Sequence, residues 1–434
     1  MSARNLLART RQGSPLPEGT LAVGIGLLVT GATAYGFLVA AARALGAEQY
    51  AALSVLWALV FLAGPGFFLP LEQEVGRALA SRRVRRLGAG PLVGRAALLG
   101  SGLVVVLVIA ALFAARPIIS YLLDGDVLLF AGLLVALVGY FIGHLARGTL
   151  SGLGRFRAYS LCLAGEGVVR LVACLILAVG GVTSAGPYGL ALGLAPFAGV
   201  AIALRGQRDL VSPGPAAPWN ELSASLGWLL TGSVLAQLLV NGGPLAVKLL
   251  STEAETAAAG RFLASLIVAR VPLFLFVAVQ AALLPALAAL AGAGHLSDFR
   301  RGIRRLMAVV AGLGIAATIG ALSVGPWVVR VLFGAELALG RRDLGLLVAA
   351  TGAYMAAIAL AQALIALSSP ARMALAWLVG TLSFIVVTAL GDDLLLRTEL
   401  GLLAGCTVAA TAMAALLVTP LRGPRTSVPT VPSG

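Results

Sequence analysis

The chain has little charge, and most of what it has is of one sign. Only 11% of its 434 residues are Asp, Glu, Lys or Arg, whereas 60% are hydrophobic and the mean hydropathy is +1.01. Soluble domains carry about 25% charged and about 45–50% apolar residues. A water-soluble enzyme is therefore excluded, because too few polar residues exist to cover a globule of this size. Cysteine is scarce as well. Cys162, Cys174 and Cys406 all fall within apolar runs, and their spacing matches neither a disulfide framework nor a metal site, so they read as small packing residues. The two histidines, His144 and His295, lie far apart in the chain. A Walker sequence, a nucleophile elbow, an HExxH motif and an acidic metal cluster are all missing. No cofactor and no catalytic residue are expected, and the pairs Asp124/Asp126, Glu253/Glu255 and Asp392/Asp393 read as loop charges. Lys248 is the only lysine. The formal charge of +14 does not point to nucleic acid, since the arginines must first be placed relative to a bilayer.

What is present is a succession of long apolar runs between residues 20 and 420. A membrane span needs roughly 20 apolar residues. On that basis twelve spans are predicted, at 20–42, 50–71, 91–114, 127–146, 159–180, 187–204, 223–247, 262–289, 303–332, 344–367, 373–391 and 399–420. The pair flanking 181–186 is joined by only a tight turn. Placing the N-terminus inside puts twenty Arg residues in cytoplasmic segments and eight basic residues on the other side, with Arg95, Arg170 and Arg270 within spans. That bias sets the orientation, with both termini cytoplasmic and an even number of spans. The fold class is thus an all-α polytopic membrane protein of about twelve transmembrane helices.

A polar, proline-rich stretch at 205–222 separates six spans from six. The expected organisation is a cytoplasmic N-terminal segment at 1–19, an N-lobe at 20–204, the linker at 205–222, a C-lobe at 223–420 and a cytoplasmic tail at 421–434. The halves share faint features, since spans two and eight both approach their inner ends with a proline followed by an Arg-Arg cluster. Halves of six spans would be parallel repeats about an axis along the membrane normal, with a solute pathway between them. Gly64-Pro65-Gly66 and Gly242-Gly243-Pro244 are the clearest break points, either as hinges or as packed kinks.

Polar side chains inside spans are costly and tend to face a bundle interior or a wet cavity. In span five, Glu166 and Arg170 are four apart, which permits an ion pair on one helical face. Arg270, in span eight, has no acid at helical spacing and is the strongest single site candidate. Span seven supplies Gln237 and Asn241, again four apart, with Lys248 seven residues on. Arg43 closes span one. Glu72 and Glu74 read as a solvated helix end that pairs with Arg77 or Arg82. The candidate substrate-binding set is therefore Arg170, Arg270, Lys248, Asn241, Arg43, Gln237 and Glu166. The four cations come from both halves, as the lining of a shared central cavity would, and Arg suits phosphate through its planar donor fork.

Two stretches, RGTLSGLGRFRAYSLCLAGEGVVRL at 147–171 and LVNGGPLAVKLLSTEAETAAAGRFLASLIVARVPLFLFVAVQAALLPALAAL at 239–290, resemble the lipid-linked oligosaccharide flippases of the multidrug/oligosaccharidyl-lipid/polysaccharide exporter superfamily. The resemblance covers essentially all twelve spans. It implies a MATE-like exporter fold of two six-helix lobes around a basic lumen. It also implies transport of a polyprenyl-pyrophosphate-linked oligosaccharide from the inner to the outer leaflet of a bacterial plasma membrane by alternating access, for cell-surface polysaccharide biosynthesis. Implied partners are the lipid-linked glycan, membrane lipids and polysaccharide polymerase machinery. Arg170 and Arg270 match the expected cationic lining, and span one lacks the buried acid of some sodium- or proton-coupled relatives. The alternative is a cation-coupled exporter of drugs or metabolites with the same fold.

Overall fold

The computed structural model describes residues 19–222, 226–252, 255, 257–273, 276 and 295–422. The chain is a multi-pass membrane protein. Among the described residues, ten helices are long and apolar enough to cross a bilayer. One of them holds two passes. Helix α1 (Thr20–Ala63) is interrupted at Gly46, whose φ of 70° and ψ of 177° lie outside helical space. A straight helix would set Phe37 and Trp57 about 30 Å apart. Their rings instead stack with centroids 5.8 Å apart, so α1 folds back on itself at Gly46 as two antiparallel limbs. Glycine suits the apex because a side chain at that φ is strained.

The second limb passes through a π-helical turn, Gly64–Phe68, into α2 (Leu69–Val84). Then follow α3 (Gly90–Phe113), α4 (Val127–Gly152), α5 (Phe156–Val179) and α6 (Ala185–Leu204). The C-terminal half comprises α7 (Leu226–Leu250), α8 (Ala258–Ala269), α9 (Leu296–Phe333), α10 (Arg341–Ala366), α11 (Pro370–Leu390) and α12 (Leu394–Arg422). The tight turn at 181–186 is real. Gly181 takes φ of 71° and α6 begins at Ala185, with Pro187 in its first turn, where a missing N–H costs nothing. Most of the eighth expected span, including Gln280, lies outside the described residues.

The helices form two lobes. In the N-lobe α1 packs on α5, α4 on α6 and α5 on α6; in the C-lobe α9 packs on α10, and α12 on both α10 and α11. The lobes meet where α1 touches α7 and α8, and where the π-turn and α2 touch α7. Outward-facing apolar side chains such as Phe113, Val179 and Trp327 are exposed, as residues facing lipid would be. Several helices overrun the expected spans at their inner ends: α2 continues to Val84, α4 to Gly152, and α9 starts at Leu296. Hydropathy marks the apolar stretch, whereas arginine is a good helix former and carries the helix beyond it.

Candidate functional site

The seven candidate residues fall into three groups, and the first is the interior of the N-lobe. Glu166 and Arg170 lie on α5, with Arg170 Nη1 3.7 Å from Glu166 Oε1. The pair belongs to a larger network. Arg147, on α4, donates from Nη1 to Glu166 Oε2 (3.3 Å) and from Nε to Glu72 Oε2 (3.1 Å). His144 Nδ1 lies 2.7 Å from the same Glu72 oxygen, and the Tyr159 hydroxyl donates to Glu72 Oε1 at 3.0 Å. Glu72, His144, Arg147, Glu166 and Arg170 are buried and Tyr159 is half-buried. Two carboxylates balance two guanidiniums, so the network is neutral when His144 is neutral. Arg170 is 1% exposed, keeps Nε and Nη2 without hydrogen-bond partners, and lies 5.4 Å from the Trp57 ring and 5.9 Å from that of Phe37. The aromatic faces supply the cation with the negative end of their quadrupoles.

This corrects two expectations. Glu72 is not part of a solvated helix end, since it is buried against α4; Glu74 does pair with Arg77, at 2.8 Å. Arg147 is not a cytoplasmic loop charge but an interior one. Glu399 on α12 is fully buried as well.

The second group lies in the C-lobe beside α7. Asn241 Nδ2 donates to Gln237 Oε1 (2.8 Å), and Arg270 Nη1 donates to Asn241 Oδ1 (3.3 Å). Arg270 Nη2 also donates to the Val240 carbonyl. That carbonyl is available for a reason written in the sequence. Its regular helical donor would be the N–H of residue 244, which is Pro244 and has none. Arg270 therefore replaces the missing backbone bond. Its ionisable neighbours are Tyr35, Tyr354 and Cys406, and no described carboxylate pairs with it. The half-buried side chain lines a cavity of about 20 Å³ together with Thr351, Tyr354 and Cys406, room for about one water molecule.

The third group closes the end that the arginine bias places outside. Arg43, at the end of the first limb of α1, donates from Nε to the Leu332 carbonyl (3.0 Å) and from Nη2 to that of Val331. These are among the last carbonyls of α9, which lack intrahelical donors and form the negative end of the helix dipole. Lys248 of α7 pairs with Asp124 between α3 and α4. Tyr50 packs on Phe333, ring centroids 6.4 Å apart. Each contact links the N-lobe to the C-lobe. In the adjacent outer loop, the Thr252 N–H and hydroxyl, both 3.0 Å away, hold the Glu255 carboxyl below its usual range. Thus Glu166 joins Arg170, and Gln237 and Asn241 join Arg270, while Arg43 and Lys248 serve the outer closure. No described cavity contains both Arg170 and Arg270.

Comparison with known proteins identifies the fold. No family model matches the chain. Two uncharacterised proteins of Mycobacterium tuberculosis are similar to it, each 28% identical, over 417 and 414 residues, covering 91% of this chain and 90% of their own. Solved structures match the fold over nearly the whole chain. One, the inward-facing conformation of a multidrug resistance MATE family transporter of the MOP superfamily, has a TM-score of 0.73 at 14% identity and covers 95% of this chain and all of the other. The outward-facing conformation of a transporter so described has a TM-score of 0.67 at 14% identity, covering 93% and 95%. The chain is thus an all-helical membrane protein with the two-lobe MATE fold.

Proposed function

We propose that the chain is an alternating-access transporter that carries a polyprenyl-pyrophosphate-linked oligosaccharide from the inner to the outer leaflet of a bacterial plasma membrane. The observation that carries this reading is Arg270. The Val240 carbonyl and the Asn241 side chain accept its hydrogen bonds, yet among the described residues no carboxylate neutralises its charge. An unneutralised guanidinium inside a membrane protein is expensive, and an anionic group on the substrate would offset that cost. Arg170, with two guanidinium nitrogens unpartnered in the other lobe, offers a second contact once the lobes move. The outer closure by Arg43, Lys248 and Tyr50 fits a state that takes up its substrate from the inner side.

The test is delivery of glycan to the surface of cells that depend on this chain, with Arg270→Ala and Arg170→Ala as separate variants. Loss of delivery with the protein still in the membrane is expected; unchanged delivery in both variants would remove the proposed site. A second reading, cation-coupled export of drugs or metabolites, is favoured by the buried Glu72–His144–Arg147–Glu166 network and by the multidrug transporters that share the fold. Efflux that depends on a proton or sodium gradient and is lost in Glu166→Gln would select it.

A further inference from the structure

The stretch that joins the lobes is no loose tether. Gly90 N–H donates to the Ser212 carbonyl (2.9 Å) and Ala89 N–H to Ser212 Oγ (3.1 Å). Arg82 donates from Nη2 to the Pro215 carbonyl (2.6 Å) and from Nη1 to Glu221 (2.9 Å), while Arg77 Nη2 reaches the Glu221 carbonyl (2.9 Å). Arg95 lies 4.7 Å from the Trp219 ring, and Ala217 and Leu222 are buried. Gly88 sits so close that a Cβ there would lie 1.9 Å from the Pro213 carbonyl oxygen. Residues 211–222 therefore form a wall against the inner end of α2.

Between this wall and α2 lies a cavity of about 370 Å³, lined by Arg77, Ser81, Arg82, Arg85 and Glu221 among others. Two lining arginines are neutralised, Arg77 by Glu74 and Arg82 by Glu221. Arg85 makes no ion pair among the described residues, so the cavity keeps a positive charge. Arg82 is only 3% exposed and its Nε–H has no partner. A buried guanidinium with an unmade bond, beside a free arginine and a serine hydroxyl, is matched to the oxygens of a phosphate. Val84 and Trp219, next in the chain to the lining residues Arg85 and Pro218, are 82% and 53% exposed, so apolar surface borders the cavity. The cytoplasmic leaflet is also where anionic lipids meet arginine clusters.

We propose that this cavity binds the phosphate of a lipid headgroup of net negative charge, which bridges Arg82 and Arg85 of α2 and holds the interlobe linker against the N-lobe. The site is separate from Arg170 and Arg270 and does not depend on the transport reading. The test uses the full chain in nanodiscs of phosphatidylcholine, with phosphatidylglycerol added in one arm and inorganic pyrophosphate in the other, and follows bound ligand and melting midpoint. Phosphatidylglycerol should bind and raise the midpoint. Arg85→Gln, an exposed change that leaves the linker contacts intact, should weaken binding about tenfold, as loss of one charge-assisted contact does. Arg82→Lys should weaken it further, and Arg86→Gln, whose side chain does not line the cavity, should not. Saturable pyrophosphate binding that Arg85→Gln abolishes, without any for the lipid, would overturn the headgroup assignment in favour of a soluble phosphate. Lipid binding equal in the parent chain and both variants would overturn the site itself.

Discussion

The arrangement around Pro244 predicts a specific non-additivity. Arg270→Met keeps the side chain's bulk but removes the donor to the Val240 carbonyl and the charge; Pro244→Ala restores a backbone N–H that can take over that carbonyl. In the parent chain, Arg270→Met should leave a buried acceptor unsatisfied, and a hydrogen bond from a charged donor is worth about 1.5–3 kcal/mol. In the Pro244→Ala background the same change loses no essential partner. Whatever the removal of the charge itself contributes enters both backgrounds and cancels. The double-mutant cycle, read from reversible unfolding in detergent, should therefore give a coupling of about 1.5–3 kcal/mol. Equal destabilisation by Arg270→Met in both backgrounds would refute the idea that Arg270 completes α7. The cycle also separates two roles. Pro244→Ala should rescue the stability of Arg270→Met but not glycan delivery, because a methionine cannot meet a diphosphate. Delivery that returns along with stability would assign Arg270 a purely structural role.

Two further outcomes follow from the other groups. Replacing both Arg43 and Lys248 by Gln removes two partly exposed polar links between the lobes, each worth about 0.5–1 kcal/mol, and should shift the equilibrium toward an open outer end about five- to thirtyfold. Distances between spin labels at Tyr121 and Leu249, which line a cavity of about 600 Å³ beside the Lys248–Asp124 pair, report it, and an unchanged distribution would count against the closure. In the N-lobe, Glu72→Gln should destabilise the protein by about 3–5 kcal/mol because Arg147 loses a buried partner, and adding Arg147→Met should recover much of that loss. Thermal unfolding of the single and double variants distinguishes this from a solvated helix end, for which neither change would matter.

Much of the architecture is legible in the sequence because span length is set by bilayer thickness, which makes apolar runs a direct ruler. Local side-chain pairs are legible too: Glu166 with Arg170 and Gln237 with Asn241 both follow from four-residue spacing. Partners that come from another helix are not. Glu72 meets His144 and Arg147 across 72 and 75 residues of chain, and nothing near Glu72 marks it as interior rather than as the end of a span. Arg147 stands just before a glycine-rich turn, where an arginine ordinarily belongs to a loop, so positive-inside reasoning places it wrongly. The partner of Arg270 was open to inference, since a proline at 244 names the carbonyl at 240 as the one needing a donor. Reading Gly242-Gly243-Pro244 as a hinge or a packed kink passes over that acceptor.

The distribution of polar bonds bears on how such a molecule can move. The bonds most costly to break, those joining Glu72, Arg147 and Glu166, lie wholly inside the N-lobe. Bonds that cross between lobes are of another kind. The Tyr35 hydroxyl donates to the Ile267 carbonyl (2.8 Å), Ser233 Oγ donates to the Pro65 carbonyl (3.1 Å), and Arg43 caps the end of α9. Each sets a side-chain donor on a backbone carbonyl; the two neutral bonds contribute only about 0.5–1.5 kcal/mol net, and Arg43, although charged, is exposed, so water screens its bond. The crossing ion pair, Lys248 with Asp124, has an acid that is 45% exposed and so already partly hydrated. Rocking one lobe against the other would thus exchange a few weak contacts for water and leave each charged interior intact. On the reading proposed above, Arg170 and Arg270, each held by its own lobe, would meet one anionic group only after relative motion of the lobes.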